Sequence, residues 1–130
     1  MTRQKMIEAY AEWLANYDWK WFVTLTFRGY PSSSKAGRLF ARWISEIQHG
    51  DGATDFRWFR VCERGAFNDH LHFHVLVGGL RTGRVFPWVR RWQAFGRTIQ
   101  VKRFNPDGKA IFYLLKELDP AKDFDIDFEL

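Results

Sequence analysis

The sequence predicts an α+β fold in which helices pack on one face of a single antiparallel sheet. Segments with the 3.6-residue apolar spacing of helices alternate with short segments rich in β-branched and aromatic residues, which are typical of strands. Two of these strands are joined by a stretch short enough for a hairpin. The chain has 130 residues, of which 46% are hydrophobic, and this is enough for one core. We therefore expect a single domain over residues 1–130.

Four segments have helical spacing. The clearest is opened by the serines Ser32 to Ser34, which offer an N-cap, and its apolar stripe runs as far as Ile47. We expect Gly50 to end this helix, since glycine often follows the last turn. The other helices are predicted over residues 6–17, 85–95 and 107–118.

The remaining patterned segments are predicted strands. They cover residues 21–27, 56–63, 70–77 and 98–103. The second and third are connected by RGAFND, so we expect them to pair as an antiparallel hairpin. The acidic C-terminal segment, residues 119–130, ends in DFDIDFEL, where acidic and apolar side chains alternate. It can add an edge strand or dock on a partner, and we expect it to pack on the basic body, with a mobile tail as the alternative.

The charge of the chain is unevenly distributed. Residues 119–130 carry five acids and one lysine, a net charge of −4, and the chain as a whole has +5, which leaves +9 on residues 1–118. Such a basic body favours a polyanionic partner, because lysine and arginine supply much of the affinity for nucleic acids. The single cysteine, Cys62, excludes an internal disulfide and a cysteine-rich zinc fold. No apolar span or leader is visible, so we expect a cytoplasmic protein without a membrane partner.

Three of the four histidines lie in DHLHFHVLV, residues 69–77. Alternate side chains of a strand share a face, so His70, His72 and His74 point to one side and the apolar residues between them to the other. A single histidine on a strand is usually a hydrogen-bonded structural residue. Three within five residues favour a metal site or an acid-base site instead. Glu63, at the end of the preceding strand, is the candidate carboxylate because a hairpin brings it beside these histidines.

The motifs FVTLTF, a glutamate before a turn, HFHVLV and YLLK, in this order, resemble those of the HUH endonucleases. The resemblance is to the rolling-circle replication initiators (Rep) of plasmids and viruses in particular. In that family an apolar strand with threonine comes first, a His-hydrophobe-His strand second, and a tyrosine with a lysine three residues later comes third. The resemblance covers residues 21–118. It implies a ferredoxin-like variant of the fold, with the histidines at the centre of the sheet and the tyrosine helix alongside.

Residue by residue, the resemblance implies that His72 and His74 bind the metal and that Glu63 is the third ligand. His70 is then an additional residue that contacts DNA, and a register in which His70 and His72 are the paired ligands is the alternative. The resemblance also makes Tyr113 the nucleophile.

The face of the last predicted helix suits this chemistry. Lys109, Tyr113 and Lys116 lie at positions i, i+4 and i+7, which share one side of a helix. The resemblance makes Lys116 the companion of the tyrosine. Further residues expected to contact DNA are basic or aromatic: Lys109, Trp58, Arg60, Arg57, Arg97 and Lys102.

The resemblance implies a metal-dependent enzyme, with Mg²⁺ or Mn²⁺ as cofactor, that nicks and joins single-stranded DNA through a covalent 5′-phosphotyrosine. Its role is then to initiate rolling-circle replication of a plasmid or virus, on single-stranded DNA or an origin hairpin. No helicase motif is visible, so a host helicase or supercoiling is expected to separate the strands. A single-tyrosine transposase or relaxase and a non-catalytic single-stranded nucleic-acid-binding domain are the alternatives. A two-histidine, one-carboxylate iron oxygenase is disfavoured because it needs a barrel of many strands.

Overall fold

Helices and strands alternate along the chain. The structure, a computed structural model, describes residues 2–64, 70–81, 83–107, 109–116 and 126–130. In chain order the elements are α1 (Arg3–Leu14), β1 (Trp21–Thr26), α2 (Ser33–Asp51), β2 (Arg57–Arg64), β3 (Leu71–Gly78), α3 (Phe86–Gln93), β4 (Ile99–Arg103), α4 (Lys109–Leu115) and β5 (Ile126–Glu129).

The strands form one sheet in the order β4-β1-β3-β2-β5, and every pair of neighbours is antiparallel. The predicted α+β class with an antiparallel sheet is therefore confirmed. β2 and β3 pair as the hairpin pattern predicts, while the connecting residues 65–69 lie outside the described residues. The histidine strand β3 occupies the centre of the sheet. The order β1, α2, β2, β3, α3, β4 is compatible with the ferredoxin-like variant, which stays a prediction.

Helices cover both faces of the sheet, which corrects the expectation of helices on one face. α2 and α3 pack on one side, where Phe40, Trp43 and Trp92 are among the fully buried side chains. α1 and α4 pack on the other side, over Phe59 and Leu76. The second face needs a cover because these two side chains point the same way as the histidines and expose large apolar surface without one.

The helix ends differ from the predicted ones by a few residues. α1 begins earlier than expected because Thr2 caps it, with its side-chain oxygen accepting a hydrogen bond from the first turn. α2 continues past Gly50 and is ended by Gly52, which has a φ of +68° and donates its N–H to the carbonyl oxygen of Gln48. None of the helices in the described part of the chain is long and apolar enough to cross a membrane.

The acidic C-terminal segment contributes an edge strand. β5 pairs with β2, and the Phe128 ring lies 5.1 Å from that of Trp13 and 6.0 Å from that of Phe59. Asp127 forms an ion pair with Arg60 at 3.7 Å. The expectation of an edge strand packed on the body is thus confirmed for residues 126–130. Residues 119–125 lie outside the described residues.

Candidate active site

Three polar side chains from three neighbouring strands meet at the centre of the sheet. The register of β1 with β3 places Thr24 opposite His74, and Thr24 Oγ1 lies 3.2 Å from His74 Nδ1. On the other side, His74 Nε2 lies 2.6 Å from Glu63 Oε2 on β2. Both ring nitrogens therefore have a partner, and the imidazole is held between β1 and β2 in one orientation.

The environment of His74 favours its neutral form. The residue is 5% exposed, and burial lowers its pKa below 6.5. The hydrogen bond and charge of Glu63 act in the opposite direction, whereas the positive charges of His72 and Lys116 lower the pKa further. In a neutral ring that makes both contacts, Nε2 donates to the carboxylate and Nδ1 accepts from the Thr24 hydroxyl.

The other two predicted histidines lie toward one end of β3. His72 is opposite Glu63 in the register with β2 and lines a cavity of about 420 Å³ together with His70 and Arg97. The His70 ring is 4.5 Å from the ring of Tyr30, with an interplanar angle of 35°. The three histidines therefore share a face as predicted, but His74 contacts the carboxylate and His70 contacts an aromatic ring.

α4 brings the predicted nucleophile to this site. The Tyr113 ring lies 5.8 Å from the His74 ring and 6.0 Å from the Phe22 ring, and Tyr113 is half exposed. Lys116 Nζ is 4.0 Å from the centre of the Tyr113 ring. α4 is fixed by apolar side chains such as Leu114, which are buried against α1 and the sheet. The tyrosine thus stands beside the histidine while its helix is anchored on the opposite side.

Three of the basic residues predicted to contact DNA, Lys102, Lys109 and Arg97, lie near this site. Lys102 and Tyr113 line a cavity of about 230 Å³ between α4 and the sheet, and Lys109 is exposed at the start of α4. Arg97 lies at the cavity beside His72, as described above. Arg57 is at the far end of β2 from the carboxylate and donates to the carbonyl oxygen of Asp18 at 3.3 Å, so it is not part of this cluster.

Trp58 and Arg60 are not available to contact DNA, and the expectation for these two residues is wrong. Each is 8% exposed and points to the face that α2 covers. The Trp58 ring packs 4.9 Å from Phe40. The Arg60 guanidinium lies 4.8 Å from the centre of the Phe40 ring and 4.5 Å from that of Phe73. Cation-π contacts of this kind make a buried arginine part of the core rather than of a phosphate-binding surface.

Sequence reasoning assigned no individual role to Thr24, Phe22 or Tyr30. The first two were detectable, because alternation along β1 places Phe22, Thr24 and Thr26 on one face. A strand that carries threonines on the face of a histidine strand is a candidate neighbour of the histidines. Tyr30 had no local signal, since it lies in a loop that reaches His70 only in the folded chain.

The donor atoms of this cluster fit a divalent cation in type but are not arranged around one. Among the residues that the structure describes, no cluster of three or more His, Cys, Asp or Glu side chains is arranged to hold a metal ion. Instead, His74 and Glu63 are joined by a direct hydrogen bond. Imidazole nitrogen and carboxylate oxygen are nevertheless donors that first-row divalent metals accept, and His72 lies on the same face. The residue types fit a cation such as Mn²⁺, and the three-ligand set stays a prediction.

Comparison with known proteins gives a fold and no family. No family model matches the chain, and no curated protein matches it. The crystal structure of the hypothetical protein ORF119 from Sulfolobus islandicus rod-shaped virus 1 is similar to this one, with a TM-score of 0.58 and 18% identity. The similarity covers 92% of this chain and 97% of that chain. At this identity the likeness concerns the fold alone.

Proposed function

We propose that this protein is an HUH-type single-tyrosine endonuclease that nicks and joins single-stranded DNA. The observation that carries the proposal is the contact of Tyr113 with His74, whose imidazole is hydrogen-bonded to Glu63. These residues come from α4, β3 and β2, and the expected nucleophile therefore lies beside the expected metal-binding pair. An isolated His-hydrophobe-His pattern would not require a tyrosine at this position.

The hydrogen-bonded pair of His74 and Glu63 supports a role for a divalent cation. His74, Glu63 and His72 would hold Mg²⁺ or Mn²⁺, which would replace the direct hydrogen bond between His74 and Glu63. When bound, the cation neutralises charge on the non-bridging oxygens of the phosphate that is attacked. Thr24 fixes the His74 ring from the other side, so that one nitrogen faces the carboxylate whether or not the cation is present.

The chemistry that fits Tyr113 is a transesterification. Its hydroxyl oxygen forms a bond to the phosphorus, the bond between phosphorus and the 3′ oxygen breaks, and the proton lost by the tyrosine is balanced by one taken up by the leaving 3′ hydroxyl. A 5′-phosphotyrosine results, and the number of phosphoester bonds is unchanged, so the strand is able to be rejoined. The Lys116 ammonium, 4.0 Å from the ring, stabilises the negative charge that develops.

The charge around the tyrosine supports the proposed substrate, and the proposed role rests on the resemblance of the motifs. Lys102, Lys109 and Arg97 place positive charge around Tyr113 and the neighbouring cavity, as a DNA backbone requires. We propose single-stranded DNA or an origin hairpin as the substrate, inside the host cell, with a host helicase or supercoiling separating the strands. Initiation of rolling-circle replication of a plasmid or virus is the role that we favour over transposition or conjugative relaxation, which use the same chemistry.

The test is covalent capture. The full chain is incubated with a pool of labelled random single-stranded oligonucleotides in Mn²⁺, in Mg²⁺ or in EDTA, and products are separated under denaturing conditions. We expect a protein-DNA adduct with either metal and none in EDTA. Tyr113→Phe should form no adduct although it folds and binds DNA. Tyr17→Phe is the matched control, a tyrosine that packs against Trp13 and Trp19 and should keep full adduct yield. Sequencing the captured strands identifies the cleavage site.

The outcomes separate the alternatives. Absence of an adduct from the wild type across the pool and both metals would leave a non-catalytic binding domain. An adduct that persists in Tyr113→Phe would move the nucleophile to another tyrosine. Lys116→Ala should slow the reaction without eliminating it, since this side chain contributes charge and forms no bond.

A further inference from the structure

An exposed aromatic pair lies at one end of the candidate active site. Tyr30 is 67% exposed, although one side of its ring faces His70 at 4.5 Å and 35°. The backbone at Gly29 has a φ of +65°, a conformation that glycine adopts without strain and that turns the chain as it leaves β1. A large aromatic side chain that is supported on one side and open on the other is a surface on which another ring can stack.

His70 of this pair lines a cavity of about 420 Å³ together with His72 and Arg97, and the Tyr30 ring lies against the His70 ring. This volume lies within the usual range for small-ligand sites. Thr26 and Thr98 form its floor and are joined by a hydrogen bond between their side-chain oxygens, so the cavity wall is held by β1 and the residue that precedes β4. The cavity therefore links the aromatic pair to His72, which faces the proposed metal site.

We infer that Tyr30 and His70 form a stacking site for one nucleobase of the single-stranded substrate, with Arg97 binding a phosphate next to that base. The inference rests on the proposed function for its choice of ligand. It gives the third histidine a role that neither metal binding nor catalysis provides. A nucleotide in this cavity is adjacent to the one whose phosphate reaches His72 and His74, so stacking would fix which phosphate is presented to the nucleophile.

The physical basis is the stacking energy of bases on aromatic side chains. Each stacked base contributes about 1–3 kcal/mol, and the contribution does not require a particular base. An arginine at the rim adds attraction to the backbone, which salt weakens. Phe86 is the natural comparison, because it is also 67% exposed but lies at the start of α3, on the side of the sheet opposite the candidate site and near the guanidinium of Arg90.

The experiment measures noncovalent binding in the full-length Tyr113→Phe background, so that covalent capture does not interfere. Fluorescence anisotropy compares a labelled oligothymidylate with an abasic strand of the same length. We expect Tyr30→Ala to weaken binding of the oligothymidylate on the order of tenfold and to leave the abasic strand unaffected. Tyr30→Trp should restore the preference for bases, His70→Ala should cause a smaller loss, and Phe86→Ala should cause none. Arg97→Ala should weaken both strands and reduce the salt dependence.

Equal binding of oligothymidylate by Tyr30→Ala and its parent would overturn the inference, as would an equal loss on the abasic strand. Its failure is distinguishable from failure of the proposed function. If the wild type forms no adduct but Tyr30→Ala loses the preference for bases, the nuclease proposal fails and the stacking site stands. If adducts form and the Tyr30 variants bind normally, the nuclease proposal stands without this site. A parent that binds neither strand contradicts both.

Discussion

The two faces of the sheet are built from the same strands but have opposite characters. The face under α2 and α3 is closed by large aromatic side chains, among them Phe40, Trp43 and Trp92, each at most 1% exposed. The other face is covered only in part. There, α1 and α4 pack over strand residues such as Phe59 and Leu76. Where that apolar cover ends, the polar side chains of the candidate site begin.

The difference shows how a small chain keeps a site rigid. β3 contributes alternate side chains to a dense aromatic core and to the histidine face, so the backbone that carries the histidines is held by packing on its other side. Stability is therefore expected to depend mostly on the closed face, and chemistry on the open one. The following variants test this division by measuring unfolding, adduct formation or both.

The largest expected effect is on chemistry. His74→Ala and His72→Ala should each abolish metal-dependent adduct formation, and Glu63→Ala should weaken metal binding less. His70→Ala is the matched control on the same strand face and should retain measurable activity. Adduct yield and metal binding by isothermal titration are the measurements. Inactive His70→Ala together with active His74→Ala would show that His70 and His72 are the paired ligands.

A large loss of stability is expected from a substitution in the aromatic core under α2 and α3. Trp92→Ala removes a fully buried ring whose indole nitrogen donates to the carbonyl oxygen of Thr26 at 3.0 Å. It should lower the free energy of unfolding by about 3–5 kcal/mol, measured by denaturant titration. Phe112→Ala, at a half-exposed aromatic of α4, should change it little. A comparable loss in both variants would contradict the division between the faces.

An intermediate effect on both stability and chemistry is expected at Thr24, which holds the His74 ring. Thr24→Val removes the hydroxyl that holds His74 Nδ1 and keeps the side-chain shape. We expect a loss of about 1 kcal/mol in stability and a slower adduct rate at saturating DNA, with DNA affinity unchanged. Thr24→Ser should restore the rate because it restores the hydroxyl. A Thr24→Val protein that reacts at the wild-type rate would remove Thr24 from the site.

The smallest effect is expected at the edge strand. Asp127→Asn should lower the free energy of unfolding by about 1 kcal/mol or less, and salt should reduce the difference, because the carboxylate is mostly exposed. Glu129→Gln is the control on the same strand, opposite Trp58 instead of Arg60. If the two variants have the same salt-dependent loss, the ion pair with Arg60 contributes nothing specific.

The sequence predicts the elements well because each has a local periodic signal, as the stripe of α2 and the alternation of β3 illustrate. It does not predict which side of the sheet α1 occupies, since an apolar stripe indicates that a helix face is buried but not the surface against which it packs. β2 shows the same limit within one strand. Arg60 lies between apolar neighbours and has the polarity of a surface residue, yet the aromatic rings of Phe40 and Phe73 make its buried position favourable. Alternation alone cannot reveal such contacts.

The sequence also predicts only some of the contacts that assemble the candidate site. Glu63 could be placed beside the histidines because one hairpin joins the two strands. The contact between Tyr113 and His74 depends on how α4 docks against α1, which no local pattern specifies. The partnership of Tyr30 with His70 likewise arises only when a loop after β1 passes the end of β3.

The position of β5 has a consequence for how copies of the protein meet. A sheet edge exposes backbone groups that can pair with another molecule, and short, charged edge strands oppose such pairing. Here both edges are short and carry opposite charges, with Lys102 and Arg103 on β4 and Asp127 and Glu129 on β5. Two copies that approach through the same edge repel each other. Among the residues that the structure describes, the charges of the two edges favour a β4-to-β5 approach, and low salt is therefore the condition under which self-association through the sheet is to be expected.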